Sequence, residues 1–250
     1  MTKLYTQLAN IYHEMYQSVF DYRREFLRAD RVFRKYGVKS VLELGSGSGN
    51  LAKYFREGGY DYVGMDIARP MLRIAERLNP GARFVHGDMR RFRVARRFDA
   101  VLIAGRSFAY LTANDEVLAA LRSIRRALKP GGVLLFDNFD ARAIFGGDLR
   151  KPLRDTIRCG GMTVARTFWR TPNLATGWTW NLDAEYRVRR AGSTKTYRDR
   201  SVLRAFTPDE LRVFLEMAGF SPVRIARRGA VVVTLALALV GPLPRHIPRM

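Results

Sequence analysis

The segment V-L-E-L-G-S-G-S-G at 41–49 carries the residues of this sequence best suited to ligand chemistry. Gly45, Gly47 and Gly49 occupy alternate positions, and glycine lets a backbone turn sharply and approach a ligand without a Cβ in the way. Glu43 precedes them, and its carboxylate would repel a phosphate group but attract an ammonium group. The segment therefore predicts a pocket for a nucleoside cofactor that carries positive charge.

Two more acids follow at the ends of the next predicted strands. Asp66 ends a strand at 60–66, and Asp88 ends one at 83–88. Ligands of open parallel sheets lie over the carboxyl ends of the strands, so Asp66 could accept both ribose hydroxyls and Asp88 the exocyclic amine of adenine. The spacing G-x-G-x-G differs from the G-x-G-x-x-G of dinucleotide-binding enzymes, which weighs against a nicotinamide cofactor.

The elements that must position these residues alternate between apolar strands and amphipathic helices. This order predicts an α/β, Rossmann-like doubly wound fold: a mostly parallel seven-stranded sheet with helices on both faces and right-handed crossovers. After strand five, period-two alternation over 152–206 predicts an antiparallel β insert. Helices are predicted over 5–36 with a restart at Asp21, 49–57, 71–78, 114–128 and 207–217, and strands over 40–44, 60–66, 83–88, 98–104, 133–137, 222–228 and 230–240.

The chain has 250 residues and a formal net charge of +21. Such an excess of basic residues either serves an anionic partner, such as RNA, DNA or a membrane surface, or covers solvated helix faces with arginine. The basic residues are spread over the whole chain, which favours the second interpretation. The single cysteine, Cys159, excludes an internal disulfide and fits a reducing cytoplasm.

We expect no transmembrane segment. The N-terminus lacks the apolar core of a signal peptide. The one long apolar run, 230–240, is shorter than the ~20 residues of a membrane-spanning helix and fits a buried strand. A peripheral membrane contact of the C-terminal tail, which contains Arg245 and Arg249, is the less favoured alternative.

Across 38–140 the sequence resembles the class I methyltransferases that use S-adenosylmethionine. V-L-E-L-G-S-G-S-G is similar to their first motif, G-M-D-I-A to their ribose motif and G-D-M to their adenine motif, while R-F-D-A-V-L-I and L-K-P-G-G-V-L-L-F resemble later strands. The resemblance implies S-adenosyl-L-methionine as the cofactor and no metal. It implies cofactor contacts from Tyr12, Glu43, Gly45, Ser46, Gly47, Gly49, Asp66, Ile67, Met71, Asp88, Met89 and Ala104.

The same resemblance gives these residues roles. Glu43 would lie near the amino end of the methionine part, and the Ala104 backbone would face that part. Asp66 would hold the ribose, Ile67 would pack on the adenine ring, and Asp88 with Met89 would flank it. It also divides the single methyltransferase domain, 1–250, into an N-terminal helical cap, a cofactor-binding half, an antiparallel substrate-side insert and a closing helix with strands, at 1–36, 37–140, 150–206 and 207–250.

A narrower resemblance concerns the N-terminus. The pattern Y-x-x-L-A-x-x-Y-x-x-x-Y at 5–16, R-S-F-A-Y-L after strand four, and the insert resemble small-molecule N-methyltransferases, such as glycine/sarcosine and sugar N,N-dimethyltransferases. In that group the N-terminal tyrosines help to close the cofactor pocket. This chain departs from the pattern at His13, where many relatives have aspartate after the tyrosine.

Methyl transfer from a sulfonium needs alignment and exclusion of water more than a protein nucleophile. Tyr12 and Tyr110 are the predicted catalytic residues, either as contacts of the transferred group or as ordinary core aromatics. His13 and His86 are weaker candidates for a general base, and little supports His246, in the tail, as a base.

Trp178 and Trp180 share one strand face and either pack on the main sheet or form the wall of an acceptor pocket. Arginines that could give that pocket an anionic preference, or line the outer face instead, are Arg166, Arg170, Arg187 and Arg189.

The predicted function is methylation of a small-molecule acceptor, most simply an amine nitrogen, by a monomer or homodimer. Two alternatives stay open: an RNA methyltransferase, favoured by the basic charge, and a nucleoside-cofactor-binding protein without catalysis. An N-P-P-Y-type tetrad and a basic run with interleaved aromatics are missing from the sequence, which weighs against RNA.

Overall fold

The computed structural model describes residues 2–241, which form two β-sheets and the helices around them. The strands are β1 (Ser40–Leu44), β2 (Asp61–Asp66), β3 (Arg83–His86), β4 (Phe98–Ile103), β5 (Leu128–Phe139), β6 (Leu153–Cys159), β7 (Met162–Pro172), β8 (Trp178–Arg190), β9 (Ser193–Ala205), β10 (Phe220–Arg228) and β11 (Val231–Ala238). The helices are α1 (Ala9–Val19), α2 (Tyr22–Lys35), α3 (Ala52–Glu57), α4 (Arg69–Leu78), α5 (Asn114–Ala127), α6 (Ala141–Phe145) and α7 (Pro208–Met217), with short 3-10 turns at Lys3–Tyr5 and Ser107–Tyr110.

The larger sheet has seven strands in the order β10-β11-β5-β4-β1-β2-β3. The five strands from β5 to β3 are parallel, and β11 runs antiparallel to both of its neighbours, β5 and β10. Phe33 of α2 and Phe55 of α3 are buried against one face, and Leu121 of α5 and Leu211 of α7 against the other. The predicted doubly wound, mostly parallel sheet is confirmed.

The insert is a separate antiparallel sheet with the order β6-β7-β8-β9. The antiparallel pairing agrees with the period-two pattern of the sequence. In β8 the buried residues Ala184, Tyr186 and Val188 occupy alternate positions, so they share one apolar face. That face packs against α1: Met15 lies in one buried cluster with Ile157, Val164 and Tyr186. On its other side α1 contacts α4 and the glycine loop, where Nδ1 of His13 is 2.9 Å from Oγ of Ser48.

The N-terminal helices divide where the sequence predicted. Asp21 precedes α2, and its carboxylate accepts a hydrogen bond from the backbone N–H of Arg24 at 2.8 Å, which is a helix N-cap. None of the helices within residues 2–241 is long and apolar enough to cross a membrane. The tail residues Arg245, His246 and Arg249 lie outside the described part of the chain.

Element boundaries differ from the prediction around the cofactor motifs. Helix α3 begins at Ala52 instead of 49, because the glycine segment runs on as turns. Strand β3 stops at His86, so Asp88 lies in the following turn. The sequence analysis missed α6, whose N-cap Asp140 accepts from the N–H of Arg142 at 3.1 Å.

Candidate cofactor and acceptor site

A cavity of about 620 Å³ opens at the carboxyl ends of β1, β2 and β4. The residues from 43 to 89 that line it form one side, which we call the cofactor half. The N-terminal tyrosines, the turn after β4 and the inner face of the insert form the other side, the acceptor half. Of the residues predicted for the site, all line this cavity except Gly49.

Gly45 and Gly47 shape the floor of the cofactor half. Both have left-handed backbones, with φ of +72° and +54°. A Cβ on Gly45 would lie 2.6 Å from Oγ of Ser107, so the loop can approach the turn after β4 only because no side chain intervenes. Both glycines line the cavity.

Gly49 has a different role from the other two glycines. A Cβ there would lie 2.8 Å from the Phe84 ring and 2.9 Å from the Ala75 Cβ. This glycine lets the loop pack against β3 and α4 rather than facing the cavity. Spacing alone gave no signal for this distinction.

Asp66 holds two loops of the cofactor half together. Its Oδ2 accepts from the N–H of Gly47 at 2.8 Å, and its Oδ1 accepts from the N–H of Ala68 at 2.7 Å. Burial raises the pKa of Asp66, and these backbone donors oppose the rise. The carboxylate therefore orders the glycine loop as well as lining the cavity.

Glu43 is buried at the base of the cavity, with 3% of its surface exposed. Its carboxyl group accepts a hydrogen bond from the Tyr62 hydroxyl. Burial raises the pKa of Glu43 to about 8, the Tyr62 hydrogen bond lowers it, and the negative charge of Asp66 raises it. A carboxyl group in this setting suits a cationic ligand.

The remaining cofactor-half residues lie along the edge beyond β2 and β3. Asp88 accepts from Nη2 of Arg90 at 2.7 Å, and Arg90 also pairs with Glu116. Burial alone would raise the pKa of Asp88, but Arg90 lowers it, so this group is a carboxylate. Ile67 leaves 42% of its surface exposed beside it, as an apolar platform. Met71 and Met89 also line the cavity in the cofactor half, and Ala104 lines it directly after β4.

A cluster of tyrosines covers the acceptor half. The Tyr5 and Tyr110 hydroxyls are 2.9 Å apart, Tyr5 meets Tyr12 edge-to-face at 5.2 Å, and Tyr12 stacks on Tyr16 at 4.3 Å. Burial raises the pKa of Tyr110 to about 12 and raises those of Tyr5 and Tyr12 well above the usual value. These phenols are neutral hydrogen-bonding groups at neutral pH. The sequence analysis placed Tyr5 in a motif but did not select it as a site residue.

His13 and His86 lie away from the lining. Nδ1 of His13 is 2.9 Å from Oγ of Ser48, and burial lowers the pKa of His13. Nε2 of His86 is 3.1 Å from the carbonyl oxygen of Ile67. Neither ring lines the cavity, so His13 contributes to holding α1 on the glycine loop.

The insert lines the acceptor half with other residues than its tryptophans. Trp180 packs edge-to-face on Phe139 at 5.3 Å, and neither it nor Trp178 lines the cavity. Arg166 pairs with Asp155 instead of entering the cavity. Arg170, Arg187 and Arg189 are likewise absent from the lining. The insert residues that line it are Phe168, Leu182, Tyr186, Arg200, Ser201, Val202 and Leu203.

Arg106 follows β4 and reaches the acceptor half in an unusual conformation. It is left-handed, with φ of +63°, and its N–H donates to Oδ1 of Asp137 at 2.8 Å. Its guanidinium lies 5.4 Å from the centre of the Phe139 ring. A left-handed non-glycine backbone held by a hydrogen bond to a half-buried carboxylate is typical of a functional position.

The cofactor half fits a nucleoside that carries an ammonium group and hydroxyls. Oγ of Ser46 is buried and has no hydrogen-bond partner within residues 2–241. Together with the glycine cradle and the acids Glu43 and Asp66, it supplies the contacts that such a ligand requires.

Residues 41–132 match the family described as a methyltransferase domain. The chain is 30% identical to the dTDP-3-amino-3,6-dideoxy-alpha-D-glucopyranose N,N-dimethyltransferase of Streptomyces fradiae, over 64% of this chain and 63% of that protein. It is also 30% identical to the glycine/sarcosine N-methyltransferase of Aphanothece halophytica, over 44% of each chain. The matched regions thus span less than two thirds of these curated relatives.

Two solved structures are similar over most of the chain. DesVI of Streptomyces venezuelae superposes with a TM-score of 0.83 at 25% identity, over 92% of this chain and 98% of that one. The sugar N-methyltransferase KedS8 of a Streptoalloteichus species gives a TM-score of 0.75 at 25% identity, over 88% and 89%. The structural similarity therefore extends beyond residues 41–132.

Proposed function

We propose that the chain is an S-adenosylmethionine-dependent methyltransferase that methylates an amine nitrogen of a small molecule. The observation that carries the proposal is the cavity itself. It joins a glycine-loop half, with its buried acids, to a half lined by tyrosines and the insert. A donor and an acceptor can therefore meet in one enclosed space.

The cofactor half would bind S-adenosylmethionine through Gly45–Gly47, Glu43 and Asp66. The cofactor, when bound, supplies a methyl group already activated on a sulfonium. Asp66 would accept from the ribose, and Ile67 and Met89 would cover the base. Asp88 would receive the adenine amine while it stays paired with Arg90.

The acceptor half would supply alignment in place of a base. Because the tyrosine pKa values are raised, Tyr12 and Tyr110 would stay neutral and orient the amine through their hydroxyls or ring edges. The amine would enter in its neutral form. After transfer, the methylated nitrogen would carry a positive charge and would lose a proton to water. Alignment of this kind can supply on the order of 7–11 kcal/mol in ideal cases.

The acceptor class we propose is an amino sugar. Relatives at 30–33% identity are named for dTDP-linked amino sugars. Arg106 lines the acceptor half and forms no salt bridge within residues 2–241, so it could pair with an anionic group of such an acceptor. We further propose a cytoplasmic monomer or homodimer that acts without nucleic acid or membrane.

Titration calorimetry with S-adenosylhomocysteine and with NAD tests the cofactor. We expect the first to bind and the second not to bind, and the opposite result would exclude this function. Radiolabelled donor with a panel of free and nucleotide-linked amino sugars, glycine and RNA then tests the acceptor. Transfer to RNA alone would contradict the small-molecule proposal.

A further inference from the structure

We propose that Glu43 holds a proton in the cofactor-free protein and releases it when the ammonium group at the amino-acid end of the cofactor binds. Tyr62 is the positioning residue that keeps the Glu43 carboxyl group in place. The inference rests on the proposed function and adds to it a coupling between cofactor affinity and pH.

The position of Glu43 in the sheet leaves its side chain without a cation. Its backbone lies in the middle of the sheet, paired with Gly64 of β2 and Leu102 of β4. The carboxyl group is buried, and within residues 2–241 no lysine, arginine or histidine forms a salt bridge with it. A buried carboxylate without a cation is strongly disfavoured, so the neutral acid is the stable form here.

The ionisable groups that face Glu43 reinforce this state. They are Tyr62 and Asp66 on β2 and Tyr22 on α2, and none of them is cationic. Burial raises the pKa of Glu43 to about 8, and Asp66 adds to the rise. The Tyr62 hydroxyl acts in the opposite direction, because it donates to the carboxyl group and favours the charged form.

An ammonium group brought to this site reverses the balance, since an opposite charge nearby favours the carboxylate. The O–H bond of the Glu43 carboxyl group breaks, its proton passes to the solvent, and an ion pair replaces it. No covalent bond of the cofactor changes. Because binding then releases a proton, the affinity should rise about tenfold per pH unit between the pKa of Glu43 in the complex and its higher pKa in the free protein, and level off above the latter.

Calorimetry in buffers with different ionisation enthalpies measures the protons released. At pH 7, S-adenosylhomocysteine should release about 0.9 proton, the fraction expected for a group with a pKa of about 8. Methylthioadenosine, which keeps the nucleoside but lacks the amino-acid end, should release none. The comparison between the two ligands removes any proton that comes from Asp66, because both ligands carry the ribose.

Variants assign the proton to Glu43. Glu43→Gln should abolish the release and flatten the pH dependence of the affinity. Tyr62→Phe keeps the ring that stacks on Phe55 at 5.7 Å but loses the donor, so the pH dependence should move to higher pH. Tyr60→Phe is the matched control, because its hydroxyl bonds Asp30 instead, and it should leave the release unchanged.

The possible outcomes distinguish failure of this inference from failure of the proposed function. Binding of S-adenosylhomocysteine without proton release would overturn the inference and leave the proposed function standing. An equal release with methylthioadenosine, or from Glu43→Gln, would also overturn the inference. If S-adenosylhomocysteine does not bind at all, the proposed function fails and the inference fails with it. If Glu43→Gln does not fold, the comparison of S-adenosylhomocysteine with methylthioadenosine and the pH dependence of Tyr62→Phe still test the inference.

Discussion

The two halves of the cavity are built from different parts of the chain. Most of the cofactor half lies between Glu43 and Met89, and backbone hydrogen bonds such as Gly47 to Asp66 hold its loops. The acceptor half combines Tyr5, Tyr110 and the inner face of the insert, which are far apart in sequence. A single substitution in the first half should therefore change binding of the cofactor, whereas one in the second should change transfer.

The halves also differ in charge. Glu43, Asp66 and Asp88 line the cofactor half, while the acceptor half has neutral phenols and the cations Arg106 and Arg200. This asymmetry gives each half a distinct ligand preference: cationic on one side, anionic or neutral on the other. Substitutions in each half test whether the two halves can be altered independently.

The largest effect is expected for Asp66→Ala. The variant loses the acceptor of two backbone N–H groups and the proposed ribose contact, and a hydrogen bond to a charged group contributes about 1.5–3 kcal/mol. Affinity for S-adenosylhomocysteine should fall on the order of 100-fold, measured by calorimetry. The control is Asp61→Ala at the other end of β2, where an exposed pair with Arg96 is lost. Equal affinity of both variants would contradict the role of Asp66.

Gly45→Ala should also weaken cofactor binding, by about tenfold or more. A left-handed non-glycine residue costs roughly 1–2 kcal/mol, and the new Cβ would collide with Ser107. Gly59→Ala is the matched control, since φ is +81° but no atom lies within 4 Å of the added Cβ. If both variants bind the cofactor like the unmodified protein, close approach of the Gly45 loop is not required.

Tyr110→Phe should separate the halves most clearly. It removes the hydroxyl bonded to Tyr5 but keeps the ring, and a neutral hydrogen bond contributes about 0.5–1.5 kcal/mol. The kcat should fall about two- to tenfold while calorimetry shows unchanged S-adenosylhomocysteine affinity. Tyr54→Phe, whose ring lies under Lys53 and outside the cavity, should change neither quantity. A loss of cofactor affinity in Tyr110→Phe would show that the halves are coupled.

The smallest effect on function is expected at Asp99, on the sheet end away from the cavity. Burial opposes its ionisation, but Lys129 and Ser40 bring its pKa to about 2. Because the folded pKa is depressed, its contribution to stability is present above about pH 4 and is lost as the pH falls towards 2. Asp99→Asn should lower the Tm at pH 7, with a smaller difference at pH 2–3, and leave cofactor affinity unchanged. A Tm difference that grows at low pH would contradict this assignment.

Much of the cofactor half could be predicted because its signals are local. The glycine spacing, the acid before the loop and the acids near the ends of β2 and β3 can all be recognised in the sequence alone. Glu43 and Asp66 line the same cavity because β1 and β2 pair in parallel. Gly49 shows the limit, since its packing against Phe84 and Ala75 depends on where β3 and α4 lie.

The sequence by itself determined the alternation of strands and helices, the antiparallel insert and the chemical character of the cofactor loop, because hydrophobic period and glycine conformation act over a few residues. Tertiary structure alone decided that Tyr5 meets Tyr110, that Trp180 packs in the core while Tyr186 and Leu203 line the cavity, and that His13 bonds Ser48. Those contacts join residues far apart in the chain, and their partners are set by how the insert and α1 pack together, which no local pattern encodes.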